Sequence, residues 1–308
     1  MTTRLTRRAA LAATAALPFV GALAPAARAA APMQGRGRPP FNRFKLGAFE
    51  VTTLLAATRA VPEPHKIFGL STPNDAFEAA SRAAFLPTDV AQFFFTPTLV
   101  NTGKELILFD TGLDPAGITT ALEAAGYAPD QVDVVVITHM HGDHIGGLAD
   151  GGFATFANAR YVTGRHEYDH WAAAGNPLFD TNMKPLAEKT EFLGEGGAVV
   201  PGITALSAPG HTPGHMGYHL ESGGRRLLLI ADTANHYVWS LAHPDWEVKF
   251  DMDKPAAAAT RRKMLGMLAA DRVPFIGYHM PFPAVGFVEA RGQGFHYVPA
   301  SYQMMLEG

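Results

Sequence analysis

The sequence predicts a layered α/β sandwich, and three observations point to it. Apolar, β-branched runs fit for buried strands occur in both halves of the chain, at 132–137 and 273–278. Helical stretches alternate with the strand runs, at 115–126, 165–174 and 255–270. Neither a repeat nor a second linker interrupts them, so one domain spans 44–308 of the 308 residues.

Taken in order, residues 30–43 (AAPMQGRGRPPFNR) are rich in Pro, Gly and Arg and read as an N-terminal arm. The next stretch, FKLGAFEVTTLLA, alternates like a strand. TPTLVNTGKELILFDTG is two apolar runs around Asn-Thr-Gly-Lys, a hairpin. Asp114-Pro115 caps and opens a helix that Gly126 stops. The run at 132–137 has the continuous apolar character of a strand covered on both faces. After the helix at 165–174, VVPGITALSAPG and the pair MGYHLES/RRLLLIADT around Gly223-Gly224 supply further strands. The helix at 255–270 and the strand at 273–278 follow.

Composition narrows the chemistry. Hydrophobic residues make up 47% and charged residues 17%, which excludes broad disorder. The chain has no cysteine, so a disulfide scaffold, a thiolate nucleophile and a Cys-containing zinc site are excluded. A net charge of −3 without a basic stripe excludes nucleic acid as the main partner. What remains is His, carboxylate or hydroxyl chemistry, and there are 13 histidines.

The charge includes a leader. Arg4, Arg7 and Arg8 precede an uncharged Ala/Leu stretch that ends at Ala27-Arg28-Ala29, the pattern of a cleaved signal peptide over 1–29. Thr6-Arg7-Arg8 with Leu11 gives it a twin-arginine character, and the expected location is periplasmic or secreted. A membrane anchor is the other reading, which Pro18, Gly21 and Pro25 disfavour. Loss of 1–29 leaves 21 basic against 28 acidic residues, so the mature chain is more acidic still and needs no membrane.

The run at 132–137 leads straight into His139-Met140-His141-Gly142-Asp143-His144-Ile145-Gly146-Gly147. His139 and His141, two residues apart as the strand ends, can point the same way, while Asp143 and His144 on the turn can aim at a second metal. Four such groups on an exposed loop would serve no packing purpose. His211 in APGHTPGH, Asp232 closing LLLIA and His279 after FIGY also stand at the ends of apolar runs. Singly each has a plain explanation, as a turn histidine, a loop-capping aspartate or a satisfied buried histidine. Together, five His and two Asp suffice for two divalent ions with a position left for water. Two such ions about 3.5–4 Å apart repel strongly and need a bridging anion.

HMHGDH with the distant PGHTPGH, LLLIADT and YHM segments resembles the metallo-β-lactamase superfamily of dinuclear metallohydrolases. The resemblance implies an αββα sandwich, two mixed sheets flanked by helices, with its ligands on loops at one edge. It implies that His139, His141 and His211 hold one metal, that Asp143, His144 and His279 hold the other, and that Asp232 bridges them. Zinc is the first expectation, and Mn, Co or Fe also suit nitrogen and oxygen ligands. Cysteine-ligand β-lactamases are excluded by composition. The blocks LGAFEVTTL, LVNTGKELILFDTG, AAGYAPDQVD, ITHMHGDHIGGL and FPAVGFVEARGQGFHYVPASY further resemble methyl parathion hydrolase and its organophosphorus-hydrolase relatives. That closer resemblance implies a secreted homodimer with Trp171 and Phe179 lining a leaving-group pocket. The segment 114–118 is shorter than in that family and lacks its aromatic. Quorum-quenching lactonases of the superfamily carry Tyr three residues after the bridging Asp, where this chain has Asn235, which is thereby expected in the substrate pocket; Tyr237 stands at the wrong offset.

The chemistry expected is attack by a metal-bridging hydroxide on an organophosphate triester, aryl ester or lactone, a small-molecule substrate. Asp232 and Asp143 offset the metal charge, and Asp143 can also relay a proton. The alternatives are a lactonase or thioesterase with only promiscuous phosphotriesterase activity, and a non-catalytic metal-binding protein. His215 is expected to support the ligands. The remaining histidines are expected to be ordinary, and Phe93–Phe95 to be core. Trp239, Trp246, Phe282 and Phe287 are the aromatics considered for the site mouth.

Overall fold

The computed structural model describes residues 39–306, together with Met33 and Gly37. The predicted leader at 1–29 and most of the arm at 30–38 lie outside the described residues.

The chain enters the first sheet through β1 (Phe41–Leu46) and β2 (Phe49–Leu54). FKLGAFEVTTLLA, expected as one strand, is a hairpin, and the alternation continues across its turn. Gly47 makes the turn at φ 58°, where a β-carbon would lie 2.2 Å from the carbonyl oxygen of Ser222. The sheet starts at Phe41, inside the expected arm. Arg43 belongs to the strand, donating to Thr52 Oγ1 at 3.0 Å and to the Ala125 carbonyl at 2.5 Å.

The hairpin β3 (Ala57–Pro62) and β4 (Val90–Phe95), with helix α1 (Asn74–Ala83) between them, was not expected. Its strands are short and half-exposed, and only the register Arg59↔Phe93 and its neighbours defines them. With Phe68, Phe77 and Trp239 it forms a separate aromatic cluster. Phe93 and Phe95 belong to that core, as expected, but both also line a cavity at the histidine cluster, and Phe94 is not part of the core. Trp239 is buried there, its Nε1 donating to Ser81 Oγ at 3.0 Å, so it is unavailable to a site mouth. Trp246 stacks on His243 with ring centres 3.8 Å apart, Phe282 lines another cavity, and Phe287 is not among the residues that line the cavity at the histidine cluster.

The expected hairpin is β5 (Thr98–Asn101) and β6 (Leu106–Phe109). Helix α2 (Pro115–Ala124) is capped as expected, the Asp114 carboxylate accepting from Gly117 N–H at 2.8 Å. Strand β7 (Val134–Ile137) is buried throughout: Val134 and Val136 face the space between the sheets, Val135 and Ile137 the helical side. The one-turn helix α3 (Gly142–Ile145) and the small hairpin β8 (Ala149–Asp150) and β9 (Phe153–Ala154) follow. Then come β10 (Arg160–Gly164), α4 (Arg165–Ala174), α5 (Pro177–Asn182) and β11 (Thr190–Leu193). The first sheet has the order β1-β2-β5-β6-β7-β10-β11, antiparallel up to β6 and parallel from there on.

The second sheet begins with β12 (Ala198–Val200), β13 (Ile203–Ser207), β14 (Met216–Ser222) and β15 (Arg225–Ala231). Helices α6 (Trp239–Ala242) and α7 (Lys254–Asp271) cross to β16 (Phe275–Gly277), which is parallel to β15. An unexpected hairpin, β17 (Val285–Arg291) and β18 (Gly294–Pro299), closes the sheet. Each sheet is mixed, and side chains from both meet in one core, Val51, Val100 and Ile107 packing with Tyr218, Leu228 and Ile276. The fold is the αββα sandwich. No helix among the described residues is long and apolar enough to cross a membrane.

Two parallel pairs gather the polar residues at one edge. β6 and β7 run together, as do β15 and β16, so the chain leaves all four at their C-terminal ends, where Asp110, His139, Asp232 and His279 stand. Gly146 and Gly147 let the turn after β7 close on the chain leaving β6, since a β-carbon at either would lie 2.2 Å from the carbonyl of Leu113 or Thr111. Gly147→Ala is therefore expected to destabilise by about 1–3 kcal/mol. Gly266→Ala, in the interior of α7 with open space around it, should stabilise by up to about 1 kcal/mol. Urea unfolding of the two variants checks both signs.

Candidate metal centre

All seven expected ligands meet at one edge of the sandwich. His139, His141 and His211 form one group, and Asp143, His144 and His279 another; Asp232 stands between them. His141 Nδ1 lies 3.1 Å from His139 Nε2 and 2.9 Å from His211 Nε2. On the other side His279 Nε2 is 3.3 Å from Asp143 Oδ2. Asp232 reaches both groups: Oδ2 is 3.3 Å from His211 Nε2 and 3.2 Å from His279 Nε2, and Oδ1 is 3.3 Å from His144 Nε2.

Outer partners fix which ring nitrogen faces inward. His211 Nδ1 lies 2.9 Å from Asp251 Oδ1, His144 Nδ1 2.9 Å from Asp110 Oδ2, and His279 Nδ1 2.8 Å from the Phe94 carbonyl. Each acceptor takes the Nδ1 proton and leaves the Nε2 lone pair aimed at the cluster. Asp110 is itself held by the N–H and hydroxyl of Thr138, both at 2.9 Å, and Asp251 by Arg261 at 2.7 Å. Buried Arg261 also donates to the carbonyls of Thr233 and Pro244, tying α7 to the loop that carries Asp232. His215 supports Asp232 as expected: its Nε2 accepts from Asp232 N–H at 3.1 Å while Nδ1 faces the Ala208 carbonyl.

These residues fit a pair of divalent cations. Imidazole lone pairs brought to about 3 Å from one another repel unless something positive lies between them. His144 Nε2 and Asp232 Oδ1 are also buried without a hydrogen-bond partner. Such orphaned polar atoms are costly, and a shared cation removes the cost.

A family model described as the metallo-beta-lactamase superfamily matches residues 96–275, more than half of the chain. The chain belongs to the metallo-beta-lactamase superfamily. An N-acyl homoserine lactonase of Bacillus cereus is 31% identical over 120 residues, 39% of this chain and 45% of that protein. One from Bacillus thuringiensis is 28% identical over 160 residues, 52% of this chain and 60% of that protein. The chain thus spans about half the length of the curated relatives it matches. Among solved structures, AidC, a dizinc quorum-quenching lactonase in complex with a product, is 25% identical with a TM-score of 0.78, covering 85% of this chain and 98% of AidC. The hydrolase AbOPH has a TM-score of 0.80 at 24% identity, covering 87% and 100%, and shares the fold.

Within this metallo-beta-lactamase fold five of the seven candidate ligands, His141, Asp143, His211, Asp232 and His279, line a cavity of about 620 Å³. Its walls include Ile67, Phe93, Phe95, Leu113, Leu178 and Phe250, with Arg59 and Asn182 as the polar lining besides the ligands. The three pocket residues expected from the sequence are not on those walls. Phe179 is fully buried against Tyr168, and its neighbour Leu178 reaches the cavity instead. Trp171 sits behind His141, edge-on at 5.7 Å, with its Nε1 hydrogen-bonded to Glu167 at 2.6 Å. Asn235 lies beside Asp232 and donates to Oδ2 at 2.9 Å. Asp110, Asp251 and Arg261 escaped the sequence reading. Asp110 had a signal, since it closes LILF as Asp232 closes LLLIA; Asp251 sits in an irregular loop that carries none.

The two halves differ in charge. Burial, with His211 beside it, lowers His141 to about 3, and burial holds His139 well below its ordinary value. Burial also disfavours the charged forms of His144 and His279, but the carboxylates outweigh it: Asp110, Asp232 and Asp143 hold His144 well above its ordinary value, and Asp232 and Asp143 raise His279 to about 10. Conversely, burial pushes Asp143 upward, yet His144 and His279 hold it at about 2. In the metal-free chain at neutral pH, His144 and His279 are therefore protonated while His139 and His141 are bare. A cation entering the Asp143–His144–His279 group must displace protons from His144 and His279, so affinity there rises with pH, whereas His139 and His141 present no proton to displace. Calorimetric metal titration in buffers of different ionisation enthalpy should show more protons released by one cation than by the other. Asp251→Asn should weaken cation binding by about 10- to 100-fold, read by chelator competition.

Proposed function

We propose that the chain is a dinuclear-metal hydrolase that opens lactones and cleaves related apolar esters. The observation that carries this reading is the placement of two ligand groups sharing Asp232 at an apolar cavity. The lactonase relatives and the dizinc centre named for AidC support it, and zinc is the first choice of metal. His139, His141 and His211 would hold one cation, Asp143, His144 and His279 the other, with Asp232 between them. When bound, the cations supply Lewis acidity toward a carbonyl or phosphoryl oxygen and acidify water.

The chain's own residues do the rest. Phe93, Phe95, Ile67 and Leu113 bury an acyl or alkyl group and exclude water from the cavity. Asp143 lines the cavity with its side chain 23% exposed, so its carboxylate can take the proton given up by the attacking water and pass it to the departing alkoxide. Asn235 and His215 hold Asp232 in orientation from behind. The same reading keeps export through residues 1–29, on their signal-peptide pattern, and assembly as a homodimer, on the resemblance to methyl parathion hydrolase.

A second reading ranks aryl phosphotriesters first, as in the methyl parathion hydrolase-like branch. One observation favours it: the described cavity lining contains no tyrosine, serine or lysine. Tyr278, the nearest phenol, is buried and donates to the Asp143 carbonyl. A leaving group such as nitrophenolate departs without an acid. Comparing kcat/KM on aliphatic lactones, nitrophenyl esters and paraoxon-type triesters decides between them. We expect lactones and esters to lead, and chelation to abolish turnover until zinc is restored. A lead for triesters supports the second reading, and no zinc-dependent turnover on any class would leave a non-catalytic metal-binding protein.

A further inference from the structure

Glu167 stands in the first turn of α4 and is fully buried, without a cationic side chain bonded to it. Both carboxylate oxygens are nonetheless saturated. Oε1 accepts from the Met140 N–H at 3.0 Å and from Trp171 Nε1 at 2.6 Å. Oε2 accepts from Thr212 Oγ1 at 2.8 Å and from the Gly214 N–H at 2.9 Å. Met140 separates His139 from His141, and Thr212 follows His211. One carboxylate therefore joins the two loops, distant in sequence, that carry the three-histidine group. A fourth donor, Trp171, packs its ring edge-on to His141.

The second loop is shaped to reach it. A β-carbon at Gly214 would lie 2.2 Å from the backbone nitrogen of Glu167 and 2.5 Å from its Cα, so only glycine allows this approach. The Asp143–His144–His279 group is tied differently, by the Tyr278 hydroxyl on the Asp143 carbonyl, with Asp110 and the Phe94 carbonyl behind its imidazoles.

We infer that Glu167 is a positioning residue that sets the spacing of His139 and His141 against His211, and so tunes one of the two cation sites without touching a cation. This rests on the reading of the seven-ligand cluster as a metal centre. Glu167→Gln keeps the shape but turns an NH₂ group toward one pair of donors, whichever way the amide is placed, so one loop is released.

The test is equilibrium binding of Co(II) to chelator-treated protein, whose visible spectrum reports the ligand geometry of each site. Melting temperatures of the metal-free proteins are recorded alongside. Wild type should bind two Co(II) per chain. Glu167→Gln should weaken one of them by about 10- to 100-fold and leave the other within about twofold. Thr212→Val, which removes a single bond to the carboxylate, should weaken the same cation by a smaller factor and guards against misfolding of the Gln variant. Ser81→Ala, which loses buried hydrogen bonds in α1, should lower the melting temperature and keep both affinities.

Unchanged affinities in both Glu167→Gln and Thr212→Val would overturn the role assigned to Glu167 and leave the metal centre standing. Parallel loss of both cations, tracking melting temperature across all three variants, would reduce Glu167 to a structural residue. Wild type binding no cation would overturn the metal-centre reading itself.

Discussion

The carboxylate of Asp232 is the constraint on which the rest of the structure depends. It is buried, lies within 3.3 Å of the Nε2 atoms of His211, His279 and His144, and has an oxygen without a hydrogen-bond partner. Concentrating five imidazoles and two carboxylates at the end of a sandwich is opposed by both desolvation and lone-pair repulsion. Two cations sharing Asp232 would relieve both. The parallel pairs β6–β7 and β15–β16 answer the same demand, because parallel neighbours end at one edge and bring ligands from distant segments together.

Holding so many polar groups in register falls to an outer layer of acceptors. Asp110, Asp251 and the Phe94 carbonyl each pin one imidazole from behind, and Arg261 anchors Asp251 while tying α7 to the Asp232 loop. The layer is uneven. Carboxylates crowd the His144 and His279 side and keep those rings charged without metal, whereas burial keeps His139 and His141 neutral. The two metal positions of one centre are thus electrostatically different before either is filled.

The seven candidate ligands were legible in the sequence because four cluster in HMHGDH directly after an apolar run and the other three stand at the ends of further apolar runs, which strands in a covered sheet require. The same regularity exposed β7, β14, β15 and α2 with its Asp114 cap. It failed where structure arises from tertiary contact rather than local pattern. The β3–β4 hairpin is half-exposed and mixed in composition, and β1 and β2 keep their alternation across Gly47, so a turn went unseen. The pocket failed for a further reason. Which of two adjacent residues in α5 faces the cavity depends on how that helix is rotated, and Leu178 rather than Phe179 points inward. Asn235 was expected near substrate on its offset from Asp232, and that short offset instead lets its amide reach the Asp232 carboxylate.

The most direct test of the central claim is crystallographic: anomalous diffraction from zinc-loaded crystals, recorded on both sides of the zinc absorption edge. Two anomalous peaks about 3.5–4 Å apart are expected with Asp232 between them, one against His139, His141 and His211 and the other against Asp143, His144 and His279. A single peak, or none at these residues, would contradict it.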